Sequence, residues 1–283
     1  TVNNATAGGP PAPTGTVTFY DGTDLSPSAV IGYQVLHDGP GGRIAETTTS
    51  SLSLGEHSIT AVYQGDASHA PGVTTLTKTV VKATPTLQFV VNPKTSVYSQ
   101  PLTLGVQVNG TGVTTPTGTV QFFDGSTKIG GAVALISGAA SITTSALAVS
   151  DSRTVRVEYS GDGKYLPGEP ASDTVVITPA LTDLDLSTSK SPATATTPVT
   201  LTATVHVTSA GATAPPSGTV TFREGSDSLG AASVDAAGVA SITISTLPVG
   251  THHLTAIFSG PNYGNSSDTL DQDIVVDGVS TNL

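Results

Sequence analysis

Short runs of alternating apolar and polar residues dominate this chain. In Thr16-Val17-Thr18-Phe19-Tyr20, Val17 and Phe19 fall on one face and Thr16 and Thr18 on the other. In a later run, Ile59, Ala61 and Tyr63 share a face. A period of two is the signature of a half-buried β-strand, because successive side chains leave a pleated backbone on opposite sides. The runs stop at turn chemistry, Asp21-Gly22 after the first and Gly65-Asp66 after the second. Glycine there supplies the positive φ that tight turns require. No window carries the i, i+3, i+4, i+7 apolar spacing at helical length.

The same unit recurs about every 100 residues. Pro13-Thr14-Gly15-Thr16-Val17-Thr18-Phe19-Tyr20-Asp21-Gly22 returns as Pro116-Thr117-Gly118-Thr119-Val120-Gln121-Phe122-Phe123-Asp124-Gly125 and as Pro216-Ser217-Gly218-Thr219-Val220-Thr221-Phe222-Arg223-Glu224-Gly225. A second block ends in Tyr63-Gln64-Gly65-Asp66, Tyr159-Ser160-Gly161-Asp162 and Phe258-Ser259-Gly260-Pro261. In the middle unit the alternation predicts strands over 86–91, 102–108, 120–123, 130–136, 140–144, 154–159 and 174–177. Seven short strands in about 95 residues is the count of a two-sheet β-sandwich. The boundaries read as repeat one over 1–82, repeat two over 83–178, repeat three over 179–277, and the start of a following repeat over 278–283.

The proline-threonine-glycine block and the tyrosine-x-glycine-aspartate block resemble the bacterial Ig-like repeats often called Big_3. The likeness spans the chain once per repeat and departs from pattern at Arg223-Glu224-Gly225 and Gly260-Pro261-Asn262. It implies a non-catalytic part of a large secreted or surface protein, and the short linkers Lys82 to Pro85 and Thr178 to Leu181, stiffened by proline, are expected to make this all-β chain of tandem immunoglobulin-like sandwiches an extended rod. Cysteine and tryptophan are both absent, so each core must rest on Val, Ile, Leu, Phe and Tyr. Tyr63, Tyr159 and Phe258 share one position near the end of a late strand. The two tyrosines can make a tyrosine-corner-like bond that Phe258, without a hydroxyl, cannot.

Aligned on the other two, repeat one lacks its first strand and most of its second, with Val2 at the end of that second strand. Truncation is one explanation. The other is strand addition by neighbouring copies or domains of the same protein, since open strand edges invite pairing.

Only 11% of residues are charged, with a net charge of -11 and pI ≈ 4.6, which argues against nucleic-acid partners. The lack of cysteine fits an exported bacterial protein and removes thiolate metal sites and cysteine nucleophiles. No apolar run is long enough to insert in a membrane.

Candidate chemistry is sparse. Asp21, Asp124 and Glu224 occupy equivalent turns, as do Asp66 and Asp162, so calcium at loop carboxylates is the first functional reading. Calcium, however, needs six to eight converging oxygens, and Asx-type turn bonding explains Asp before Gly without a metal. The site prediction is therefore no catalytic, cofactor or metal residues. Among the histidines, His57 and His253 read as recurring at the start of one strand, in a surface role. No serine elbow or phosphate loop is present. The loop positions of Tyr165 and Tyr263, with His69 in their place in repeat one, and the outward position of Tyr20, Phe123 and Arg223 leave carbohydrate binding open. Three functions remain in competition: spacer or filament subunit, adhesion through loop tips, and accessory domain of a secreted hydrolase.

Overall fold

A computed structural model describes residues 11–278 apart from 41, 113 and 246. Repeat one contributes β1 (Thr16–Asp21), β2 (Val30–Val35), β3 (His37–Gly39), β4 (Gly42–Ile44), β5 (Gly55–Tyr63) and β6 (Gly72–Val80). Repeat two contributes β7 (Thr86–Asn92), β8 (Thr95–Val97), β9 (Leu102–Asn109), β10 (Thr119–Asp124), β11 (Thr127–Ala134), β12 (Ala139–Thr144), β13 (Ser150–Tyr159) and β14 (Ala171–Thr178). Repeat three contributes β15 (Thr182–Thr188), β16 (Ala193–Thr194), β17 (Val199–Val207), β18 (Thr219–Glu224), β19 (Asp227–Ser233), β20 (Val239–Ile244), β21 (Gly250–His252), β22 (Leu254–Gly260), β23 (Tyr263–Thr269) and β24 (Ile274–Asp277).

In repeat two the sheets run β11-β10-β13-β14-β8 and β12-β9-β7. The β9 sequence Leu-Thr-Leu-Gly-Val-Gln-Val alternates so that Leu102, Leu104, Val106 and Val108 all turn inward and are buried. Against them stand Phe122 and Val157, both fully buried. β10 and β13 pair with Phe122 opposite Val157, so the two side chains share the inner face. Repeat three repeats the plan with sheets β19-β18-β22-β23, β15-β17-β20 and β16-β24-β21. Its core joins Leu201, Ala203, Phe222, Leu254, Ala256 and Phe258, each fully buried. Burying a Leu or Phe of this kind stabilises by roughly 1.5–3 kcal/mol.

Repeat one is described through one four-stranded sheet, β2-β1-β5-β6, and the small β3-β4 hairpin. Val17 opposes Tyr63 and Phe19 opposes Ala61, as their counterparts do in repeats two and three. Leu36, Val17 and Tyr63 form a small buried cluster against which Phe19 and Ala61 are only partly covered. Phe122 and Phe222, at the position of Phe19, are fully buried. An apolar groove of about 530 Å³ lies on this face, lined by Val17, Phe19, Ala61, Tyr63, Val73 and Leu76. The stretch after β4, residues 45–49, aligns with β12 yet forms no strand. Val2 lies outside the described residues.

The chain divides into two compact units, one ending at Thr84 and taking in Gly163–Leu166, the other made of Pro85–Asp162 and the chain from Pro167 onward. Repeats two and three thus share most of one unit. No helix among the described residues is long and apolar enough to cross a membrane.

Candidate functional site

The acids singled out in the sequence sit at two levels, the first in all three repeats and the second in repeats one and two, and both levels are built into the fold. The first is the turn after the leading strand of the block. Asp21 closes β1, and both of its carboxylate oxygens lie 2.9 Å from Nδ1 of His57 on β5. In repeat two, Asp124 ends β10 and accepts a 2.6 Å bond from Nη2 of Arg153 on β13. In repeat three, Glu224 ends β18 and lies 2.8 Å from Nδ1 of His252. Each basic side chain also reaches back to a loop carbonyl: His57 Nε2 to Ser53 at 2.8 Å, Arg153 Nη1 to Ala148 at 3.4 Å and His252 Nε2 to Pro248 at 2.9 Å. The unit is one basic side chain spanning one carboxylate and one carbonyl, and it ties the loop before the late strand to the turn.

This arrangement corrects the histidine register. His252, not His253, is the counterpart of His57. Both are buried, at 8% and 6% exposure, whereas the His253 side chain is 76% exposed and meets Asp273. Counting back from Phe258 as from Tyr63 lands on His252, and that count was the available signal. The recurring histidine is therefore an interior residue with two acceptors, not a surface strand end.

The second level is the loop after the late strand. Asp66 accepts from the backbone N–H of Thr14 at 2.8 Å, the Thr14 hydroxyl at 3.1 Å and the Ser68 N–H at 2.8 Å, and it lies 2.9 Å from His69 Nδ1. The Thr14 and Ser68 amides hold its carboxyl far below the usual carboxylate range, against the opposing effect of desolvation. Asp162 repeats the bond to Thr117, N–H at 2.7 Å and hydroxyl at 2.9 Å. Beside them Tyr63 donates to the Thr14 carbonyl at 2.8 Å and Tyr159 to the Thr117 carbonyl at 2.6 Å. Repeat three, lacking both the acid and the hydroxyl, makes the bond from another position: Tyr263 donates to the Pro215 carbonyl at 2.6 Å. The five acids therefore serve as internal acceptors. Among the described residues no group of three or more His, Asp or Glu side chains gathers in a metal-holding arrangement.

The glycine of the repeated block sits against this loop. Gly118 has φ +92°, and a Cβ there would stand 2.6 Å from the Gly161 carbonyl. At Gly218, φ +153°, the same atom would meet the Ser259 carbonyl at 2.3 Å. Only glycine allows the two backbones to approach so closely.

A third site was not legible in the sequence: the joint between repeats two and three. The β8–β9 loop of repeat two carries Tyr98, Ser99 and Gln100 into repeat three. Ser99, at φ 64° and 4% exposure, accepts the N–H groups of Thr213 and Ala214 at 2.8 and 3.0 Å. The Thr213 hydroxyl returns a 3.3 Å bond to the Ser99 carbonyl, and the Gln100 amide donates to the Ala210 carbonyl. Tyr98 meets Tyr263 edge to face, ring centroids 5.3 Å apart. From the loop before β13, Val149 N–H donates to Asn262 Oδ1 at 3.1 Å. The departure Gly260-Pro261-Asn262 thus coincides with a docking role. Ala180, in the linker, bridges in parallel to Tyr263 and accepts the Gly264 N–H at 2.8 Å. In the first unit Ala83 bridges to Tyr165 in the same way. Each tyrosine is bracketed by these bonds, since the linker alanines donate to the Lys164 and Asn262 carbonyls and accept from the Leu166 and Gly264 N–H groups.

Phe123, outward-facing like Tyr20 and Arg223, is 7% exposed because the Arg156 guanidinium lies 3.9 Å from its ring centroid.

Among solved structures, the chain is similar to the Yersinia pseudotuberculosis adhesin InvE at 16% identity and TM-score 0.39, covering 66% of this chain and 60% of that one. The titin I-band fragment I67–I69 matches at 13% identity and TM-score 0.34, over 93% of each chain. A putative membrane anchored protein from Corynebacterium diphtheriae matches at 13% identity and TM-score 0.31, over 99% of this chain and 86% of that one. No curated protein sequence matches. One family, described as bacterial Ig-like domain (group 3), matches over residues 1–82, 89–178 and 186–276, and this chain belongs to it, as three tandem copies.

Proposed function

We propose that this chain is a non-catalytic structural module of a secreted or cell-surface bacterial protein, a rod-like spacer built from stacked sandwiches. The observation that carries the reading is the joint between repeats two and three. The buried Ser99 and the half-buried Tyr98 and Asn262 are invested there in fixing one repeat on the next. A spacer needs such joints, because a freely hinged chain of domains holds nothing at a set distance. The acids, tyrosines and buried histidines serve the same end by tying loops to strands. Small-angle X-ray scattering of the full chain tests the reading: a maximum dimension and cross-section fitting three sandwiches in line support it, and a collapsed particle refutes it.

The groove on repeat one favours a second reading, a filament in which neighbouring copies or domains meet by strand addition. Its partly covered Phe19 and its exposed Val73 and Leu76 are the kind of surface that an apolar strand covers. Sedimentation across a concentration series distinguishes the two, since a filament subunit associates and a spacer stays monomeric.

A further inference from the structure

Two of the three cation–carboxylate clamps are made by histidine and one by arginine, in otherwise matched geometry. The carbonyls of Ser53 and Pro248 only accept hydrogen bonds, and the ionised carboxylates of Asp21 and Glu224 only accept. Each ring is therefore bounded by an acceptor at Nδ1 and another at Nε2. Only the doubly protonated imidazolium can donate to both. A neutral ring turns a lone pair toward an oxygen at one end, whichever tautomer it adopts.

We propose that repeats one and three carry a pH-sensitive latch, closed while His57 and His252 are protonated and loosened when they lose the proton, and that Arg153 makes the same latch permanent in repeat two. What the latch holds is the loop before the late strand, fastened through the Ser53 or Pro248 carbonyl to the turn at Asp21 or Glu224.

The neighbouring charges fit this role. Facing His57 are Asp21 on β1 and Lys78 on β6, which pairs directly across from it; Glu56 and Ser58, its chain neighbours, alternate to the other face. Facing His252 are Glu224 on β18 and the uncharged Ile274 of β24, its cross-strand partner, while His253 turns away to Asp273. The proton affinity of both rings is raised. For His57 the Ser53 carbonyl is the main cause, followed by Asp21. For His252 burial opposes the charge, and the Pro248 carbonyl with Glu224 outweighs it. A raised value means that the stabilisation is complete below the ordinary imidazole value of 6.5 and is lost as pH rises through the folded-state value.

The test uses the full chain. Histidine ring NMR, assigned by single substitutions, should show His57 and His252 titrating above 6.5. Thermal melts from about pH 5.5 to about pH 9 should show repeats one and three losing melting temperature with rising pH while repeat two holds. In H57R/H252R that loss should shrink, and R153H should give repeat two the same loss. Rings that titrate at or below 6.5 overturn the proposal, even if the arginine variants fail to fold. So does an H57R/H252R protein whose pH profile matches the parent's.

Discussion

Ser99 Oγ of repeat two accepts the backbone N–H of Thr213 in repeat three at 2.8 Å, and it accepts the next N–H, that of Ala214, as well. One hydroxyl thus satisfies two backbone donors of the neighbouring sandwich. The residue is buried and held at positive φ, a conformation that costs a non-glycine residue of order 1–3 kcal/mol. The joint retains that cost, so removing the hydroxyl should do more than delete one contact. Ser99→Ala is expected to leave two part-buried N–H groups without their acceptor and to destabilise unit two by about 1 kcal/mol. Ser99→Gly, which removes the hydroxyl but relieves the backbone, should lose less. Chemical denaturation of both variants reads the difference.

The tyrosine bonds give a second prediction. Tyr159→Phe and Tyr263→Phe each delete one donor to a carbonyl, Thr117 and Pro215 respectively, and each should cost about 1 kcal/mol. Tyr263→Phe should also loosen the joint, because Tyr98 packs on the same ring. Phe258→Tyr, into a fully buried position, should not stabilise repeat three. Denaturant melts of the three variants check the order.

A third prediction separates two glycines of repeat two. Gly118→Ala drives a methyl to within 2.6 Å of the Gly161 carbonyl, whereas Gly125→Ala, at φ +57°, meets nothing within 4 Å. The first should unfold or severely destabilise the repeat, and the second should cost about 1 kcal/mol from backbone conformation alone. Circular dichroism melts suffice.

Asp66 provides a pH prediction of opposite sign to that of the histidines. Its carboxyl is held low by the Thr14 and Ser68 amides, so its contribution is complete above the ordinary carboxylate range and falls away only as pH drops through the lowered folded value. Asp66→Asn should therefore lose stability at neutral pH and be less sensitive to acid than the parent, as acid titration followed by tyrosine fluorescence would show.

The strands were legible because alternation is a local property and three copies reinforce it: 102–108 reads directly as β9, and 154–159 as the inner end of β13. The sequence range 130–136 overshot β11 by two residues because Leu135 and Ile136 continue the apolar run after the strand has ended. His252 was hidden by its neighbour His253, since two adjacent histidines offer two registers and only the count from Phe258 separates them. Tyr98-Ser99-Gln100 gave no signal at all. It reads as an ordinary turn, and its partners Ala210, Thr213 and Tyr263 lie more than a hundred residues away, where no periodicity connects them.

The measurement that bears most directly on the central claim, that side chains lock one sandwich to the next, is a set of residual dipolar couplings from repeats two and three in the full chain. A single alignment tensor fitting both repeats, splitting into two in Ser99→Ala, is the predicted result. Two independent tensors in the unaltered protein would contradict the joint, and with it the account of the chain as a spacer.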